Sequence, residues 1–170
     1  MTFCLGPESR RVFTEVIELF MADRKSKLRL NKIDGEPDME TQYIASILEW
    51  SKYNPKSRAG LVSILIKNLP ECRGRALASM IYAADQSGLL TPEQVESAAD
   101  RAIRSVPGEA DAVALGFYHV GWRHGSWWSY KKALQAFLFA DKHCHNAELK
   151  RLIEDRLEVC RKEIKPPKKP

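Results

Sequence analysis

The sequence predicts an all-α chain built from about three helix hairpins in a solenoid, with an N-terminal helix before them and a capping helix after. Three observations predict it. First, beyond Pro37 almost every stretch carries apolar residues at helical spacing, and nothing is patterned as a strand. Leu61–Leu65 is the closest to one, and its place between Pro55 and Pro70 favours a buried helix. Second, the punctuation recurs. Asn54–Pro55 and Thr91–Pro92 are each an N-cap residue followed by proline at the first helical position, 37 residues apart, and Pro70 and Pro107 repeat that interval. Two helices per 37-residue unit is a solenoid signature. Third, Phe117–Ala140 reads as two helices whose facing positions alternate large (Phe117, Val120, Phe137) and small (Gly121, Ala133, Ala140). That alternation lets helix axes approach closely.

In chain order, Pro7–Arg24 is the first helix, with Val12, Phe13, Val16, Ile17, Leu19 and Phe20 on a broad apolar face. Lys25–Pro37 reads as a polar, basic loop. The first hairpin pairs Pro37–Lys52 with Pro55–Asn68. The second pairs Glu71–Ser87 with Pro92–Ser105, and Thr91-Pro-Glu-Gln94 fits a capping box. The third pairs Glu109–His124 with Trp127–Cys144 through an inner turn at Gly125–Ser126. Asn146–Ile164 follows with one apolar stripe (Leu149, Leu152, Ile153, Leu157, Cys160, Ile164) and an otherwise charged surface, as a capping helix requires. Residues 165–170, KPPKKP, read as a disordered or extended tail. The expected organisation is therefore 1–36 (helix and basic linker), 37–164 (helical repeats) and 165–170 (tail).

The 170 residues suffice for one domain with a real core. No apolar run reaches the roughly 20 residues of a membrane span, so no membrane association is expected. The opening MTFCLGPESRR lacks the pattern of a secretory leader. Four dispersed cysteines (Cys4, Cys72, Cys144, Cys160) read as reduced thiols in a cytoplasmic protein. The net charge of +5 permits an acidic partner without demanding one.

The third hairpin resembles a tetratricopeptide repeat (TPR): Phe117, Val120–Gly121, Ala133, Phe137 and Ala140 stand at that family's spacing. His124 replaces the family's next aromatic and His145 its closing proline. The second hairpin keeps Tyr82–Ala83, Ala102 and Pro107, with Val95 where a small residue is usual. The first keeps Pro70, with Ser46 at a small position. The resemblance implies a right-handed superhelix whose groove, lined by the first helix of each hairpin, binds a segment of another protein. Its groove positions fall on Tyr43, Ile47, Trp50, Met80, Ala84, Tyr118 and Trp122. The paired Lys and Asn of the family's carboxylate clamp are missing. The layout is also similar to type III secretion translocator chaperones. An adaptor, a chaperone and an inhibitor of one enzyme all fit such a scaffold, and exposed aromatics fit a homodimer face equally well.

A second function class stays open. Arg24, Lys25, Lys27, Arg29 and Lys32 in the loop, with Arg123, Trp127, Lys131 and Lys132 at the third hairpin, interleave cations and aromatics as a nucleic-acid surface does. Metal binding is not expected: His143, Cys144, His145 and Cys160 match no finger or ribbon spacing. There is no HExxH, no glycine-rich phosphate loop and no Gly-x-Ser-x-Gly elbow, so neither enzymatic activity nor a cofactor is expected.

Overall fold

The computed structural model describes residues 36–51, 53 and 55–164, together with Arg11 and Thr14. Arg11 and Thr14 are helical, as expected there, and the rest of the expected helix 7–24, residues 25–35 of the basic loop, the cap residue Asn54 and the tail 165–170 lie outside the described residues. Among the described residues there are seven α-helices and two 3-10 turns, and no strand: α1 (Met39–Ser51), α2 (Pro55–Asn68), α3 (Gly74–Ser87), α4 (Pro92–Ser105), α5 (Ala110–Ser126), α6 (Tyr130–His143) and α7 (Ala147–Ile164). No described helix is long and apolar enough to cross a membrane.

The starts and stops follow local chemistry. Thr91 and Gln94 form the expected capping box, each side chain bonding the other's backbone N–H. α3 ends at Gly88, whose φ of 67° places it in the left-handed region that glycine enters without steric cost. Its start is later than the expected Glu71. Leu69–Glu71 instead forms a 3-10 turn carrying Pro70, and Cys72 and Arg73 are extended before the helix begins. The third inner turn also shifts. α5 continues through Gly125–Ser126, and the reversal falls on Trp127–Ser129. There the Ser129 N–H donates to His124 O at 2.9 Å and the Trp128 N–H to Gly125 O at 3.0 Å, satisfying the carbonyls at the helix end.

α3 is the centre of the packing. Its buried run Ala76–Ala84 is rich in Ala and Ser, which lets neighbours close in from two sides. On one side is α1, held by a 2.7 Å hydrogen bond between the Thr41 and Ser79 hydroxyls. On the other is α5, where a Cβ on Gly116 would stand 2.9 Å from Ala78 O and 2.9 Å from Ile81 Cβ. The most extensive contact joins α5 and α6. A Cβ on Gly121 would fall 2.7 Å from the Phe137 ring, so the expected small-large fit is met there by hydrogen against ring. Phe117 lies 4.3 Å from Phe139 with the ring planes tilted by 38°, and Ala133, Phe137 and Ala140 are buried. α7 packs on α6, burying Leu149, Ile153, Leu157 and Cys160, and turns its charged side outward.

Some contacts between helices recur near the spacing of the prolines. Asp38 pairs with Arg75, and the Gly74 N–H donates to Glu109 Oε2 at 2.6 Å. Asp111 Oδ1 accepts from the N–H groups of His145 and Asn146 at 2.7 and 2.9 Å. Acidic residues near the start of one helix thus tie the N-terminal backbone or a cation of a helix about 35 residues away, where the helix dipole favours negative charge.

Candidate functional site

α1 has two apolar faces. Thr41, Ile44, Ala45, Leu48 and Ser51 are buried toward the core. Opposite them Met39, Tyr43 and Trp50 are 79%, 65% and 69% exposed, with Ser46 exposed between the rings and Ile47 half-buried beside them. Tyr53, one turn on, is 75% exposed. Positions 39, 43, 46 and 50 alternate steps of four and three, which keeps them in one stripe along α1, and Tyr53 continues that spacing in the turn beyond Ser51. The helix is fixed beneath that stripe. Asp38 Oδ1 accepts from the Thr41 N–H at 2.8 Å, capping the first turn, while its other oxygen pairs with Arg75 at 2.5 Å. Burial pushes the Asp38 carboxyl up, but the Thr41 hydrogen bonds and Arg75 together outweigh it and hold the group below its ordinary range.

The other expected groove residues are placed differently. Met80 and Ala84 are 0% exposed and Tyr118 is 2% exposed. The expectation that they line an open groove is corrected: they lie in the core shared by α1, α3 and α5. The reason is the close approach at Ala78, Ser79 and Gly116, which brings α1 and α5 against α3. Trp122 is half-buried against the same core. At the C-terminal ends of α3 and α5 a polar cluster forms. His124 Nε2 sits 3.0 Å from Asp85 Oδ2, and His119 meets the edge of Tyr82 at 6.5 Å. Burial raises the Tyr82 hydroxyl above its ordinary value, against the nearby Arg123 charge. His124 thus acts as a cross-helix polar tie.

A second exposed face lies at the α5–α6 turn. Trp127 and Trp128 are 66% and 79% exposed, and Lys131 and Lys132 are exposed beside them. The Arg123 guanidinium lies 5.0 Å from the Trp127 ring centroid. Trp128 has φ 61°, an uncommon conformation for a bulky side chain, and stands edge-on to Tyr130 at 6.1 Å. Residues 128–132 with Glu163 and Ile164 line an open depression of about 490 Å³. The remaining basic residues of the nucleic-acid set (Arg24, Lys25, Lys27, Arg29, Lys32) lie outside the described residues.

Near the start of α7, Cys144 is buried and its thiol is pushed up to about 11 by burial and by the Asp111 carboxylate. The His143 ring lies 4.8 Å from that of Phe139, tilted by 51°, with Nε2 3.4 Å from Asp100 Oδ1. Among the described residues no group of three or more His, Cys, Asp or Glu side chains could hold a metal ion. Sequence reasoning missed the contribution of Met39 and Tyr53 to the α1 stripe. The four-three spacing running from Met39 was the available signal. Comparisons with protein-family models, with curated proteins and with solved structures find no match for this chain.

Proposed function

We propose that this protein is a protein-interaction module, a TPR-like solenoid of helix hairpins that docks another polypeptide through α1. The observation that carries this reading is the stripe of Met39, Tyr43 and Trp50, exposed on a helix whose opposite face is locked into the core. Monomeric proteins seldom leave several large apolar side chains contiguous and uncovered, and aromatic anchors on a rigid support are what binding hot spots use. The recurrence of inter-helix ties about 35 to 39 residues apart supports the repeat architecture. Adaptor, secretion chaperone and inhibitor are the roles such a module would serve in the cytoplasm.

The test is affinity capture from the protein's own cell extract with nuclease present, using the native chain beside Trp50→Ala and Tyr43→Ala. The reading expects a stoichiometric protein that survives nuclease and is lost with either variant, while helicity by circular dichroism stays unchanged. Equal capture by all three chains would sink it.

The Trp127–Trp128 face favours a second reading, binding of single-stranded nucleic acid. Two uncovered indoles beside Lys131 and Lys132 offer stacking surfaces with charge next to them. That reading expects retention on heparin that falls steeply with salt and weakens in Trp128→Ala. Elution at very low salt would exclude it.

A further inference from the structure

The α1 stripe is symmetric about its centre to within one residue. Ser46, small and exposed, sits at its centre. Aromatic rings flank it on either side, Tyr43 three residues before and Trp50 four after, and the outer positions Met39 and Tyr53 lie seven residues away in each direction. We propose that the partner of this face is a second copy of the chain, with the two α1 helices packed antiparallel about a two-fold axis through Ser46. The inference rests on reading α1 as a docking face and names its occupant.

A two-fold contact presents the same patch from both sides, so a self-docking stripe must pair with its own reverse. Reversing this one about Ser46 sets Met39 against Tyr53 and Ser46 against Ser46, and brings Tyr43 within one residue, about 1.5 Å of helix rise, of Trp50 of the other copy. Large meets large away from the axis, where crossing helices diverge. Small meets small at the crossing, where side chains limit the axial distance. The Ser46 hydroxyl is already satisfied, donating to Gln42 O at 3.0 Å, so covering it orphans no donor. No residue in the stripe itself is charged, so nothing in it opposes self-association. The opposite end of the fold differs: α7 exposes Glu154, Asp155, Arg156 and Glu158, a surface that needs no cover.

Area sets the strength. Four large side chains, each with on the order of 150 Å² still uncovered, would bury about 1,000–1,200 Å² across both copies. That is the lower end for a specific interface, so the dimer would be reversible, with a dissociation constant on the order of micromolar.

The experiment is sedimentation equilibrium of the full chain from about 1 to several hundred micromolar, for the native protein, Ser46→Glu and Trp50→Glu. The expected result is a monomer–dimer equilibrium whose dissociation constant rises at least about tenfold in either variant, with unchanged circular dichroism. As a second measurement, mild oxidation of Ser46→Cys should give a covalent dimer on non-reducing gels, since only a residue at the axis meets itself at disulfide distance. Ser97→Cys, exposed on α4, is the control that should stay monomeric. A chain monomeric throughout, with no Ser46→Cys dimer, overturns the proposal, as does a dimer indifferent to both glutamates. Failure of the docking-face reading is a separate result: the native chain and Trp50→Glu would then capture the same proteins.

Discussion

The hydroxyls of Thr41 and Ser79, 38 residues apart in the chain, meet at 2.7 Å in a buried contact between α1 and α3. They are polar atoms in an otherwise apolar seam, so the seam has one register in which both are satisfied. Thr41→Val removes one partner and leaves the other short of a bond. The expected loss is about 1–3 kcal/mol, at the low end if Ser79 turns to a carbonyl of its own helix. Urea denaturation should show Thr41→Val/Ser79→Ala costing clearly less than the two single changes added together. Strict additivity would mean that the hydroxyls do not cooperate.

Glycine positions should divide by contact. Gly121→Ala pushes a methyl into the Phe137 ring and Gly116→Ala into the α3 backbone, so each should destabilise by about 1–3 kcal/mol. Gly60, exposed in α2 with nothing near its Cβ position, should behave oppositely. Gly60→Ala is expected to raise stability by about 0.4–1 kcal/mol. Thermal melts of the three variants check the ordering.

Trp122 separates core from surface. Because it packs against the core, Trp122→Ala should destabilise the fold on the order of 1–3 kcal/mol, short of the roughly 3–5 for a fully buried tryptophan. Trp50→Ala and Trp128→Ala, both exposed, should melt within a degree or two of the native chain. A Trp122→Ala melt equally unchanged would return that residue to the binding surface.

Stability should fall on mild acidification through His143. Burial lowers its pKa below the ordinary 6.5, aided by Lys142 and His145, while Asp100 opposes. The folded state therefore favours the neutral ring, and the unfolded chain binds the proton first. The contribution is fully present above about 6.5 and is lost as the pH falls toward the folded-state value. His143→Phe, which cannot be protonated and keeps the contact with Phe139, should flatten the melting temperature between pH 7 and 5. Asp38, held below 3.8, adds a separate loss only at lower pH.

Cys144 should be inert in the folded state. With its thiol raised to about 11 and its side chain buried, little thiolate exists at pH 8. Iodoacetamide should label it far more slowly in buffer than in urea, read by mass spectrometry of the peptide containing it. Fast labelling in buffer would mean that the α6–α7 junction opens readily.

Much of the helical framework was legible in the chain because it depends on local chemistry. The Thr91–Gln94 box, the prolines at 55 and 92 and the apolar spacing of α4 and α7 act within a few residues, and α2 and α4 fall at the expected bounds. The Phe117–Ala140 fit was legible for a related reason: size alternation at helical spacing specifies a facing partner. Gly125 misled because glycine only permits a left-handed turn. The hydrogen bonds to His124 and Gly125 carbonyls put that turn on Trp128 instead. What sequence alone could not decide was which apolar face of each helix would be covered. Met80, Ala84 and Tyr118 match groove positions by spacing, yet Ala78, Ser79 and Gly116 draw α1 and α5 so close to α3 that these side chains are enclosed. Tyr43 and Trp50 follow the same spacing and stay exposed, because α1 packs on α3 through its other face. Periodicity places residues on a face of their own helix. Only the packing of neighbouring helices determines whether that face meets protein or solvent.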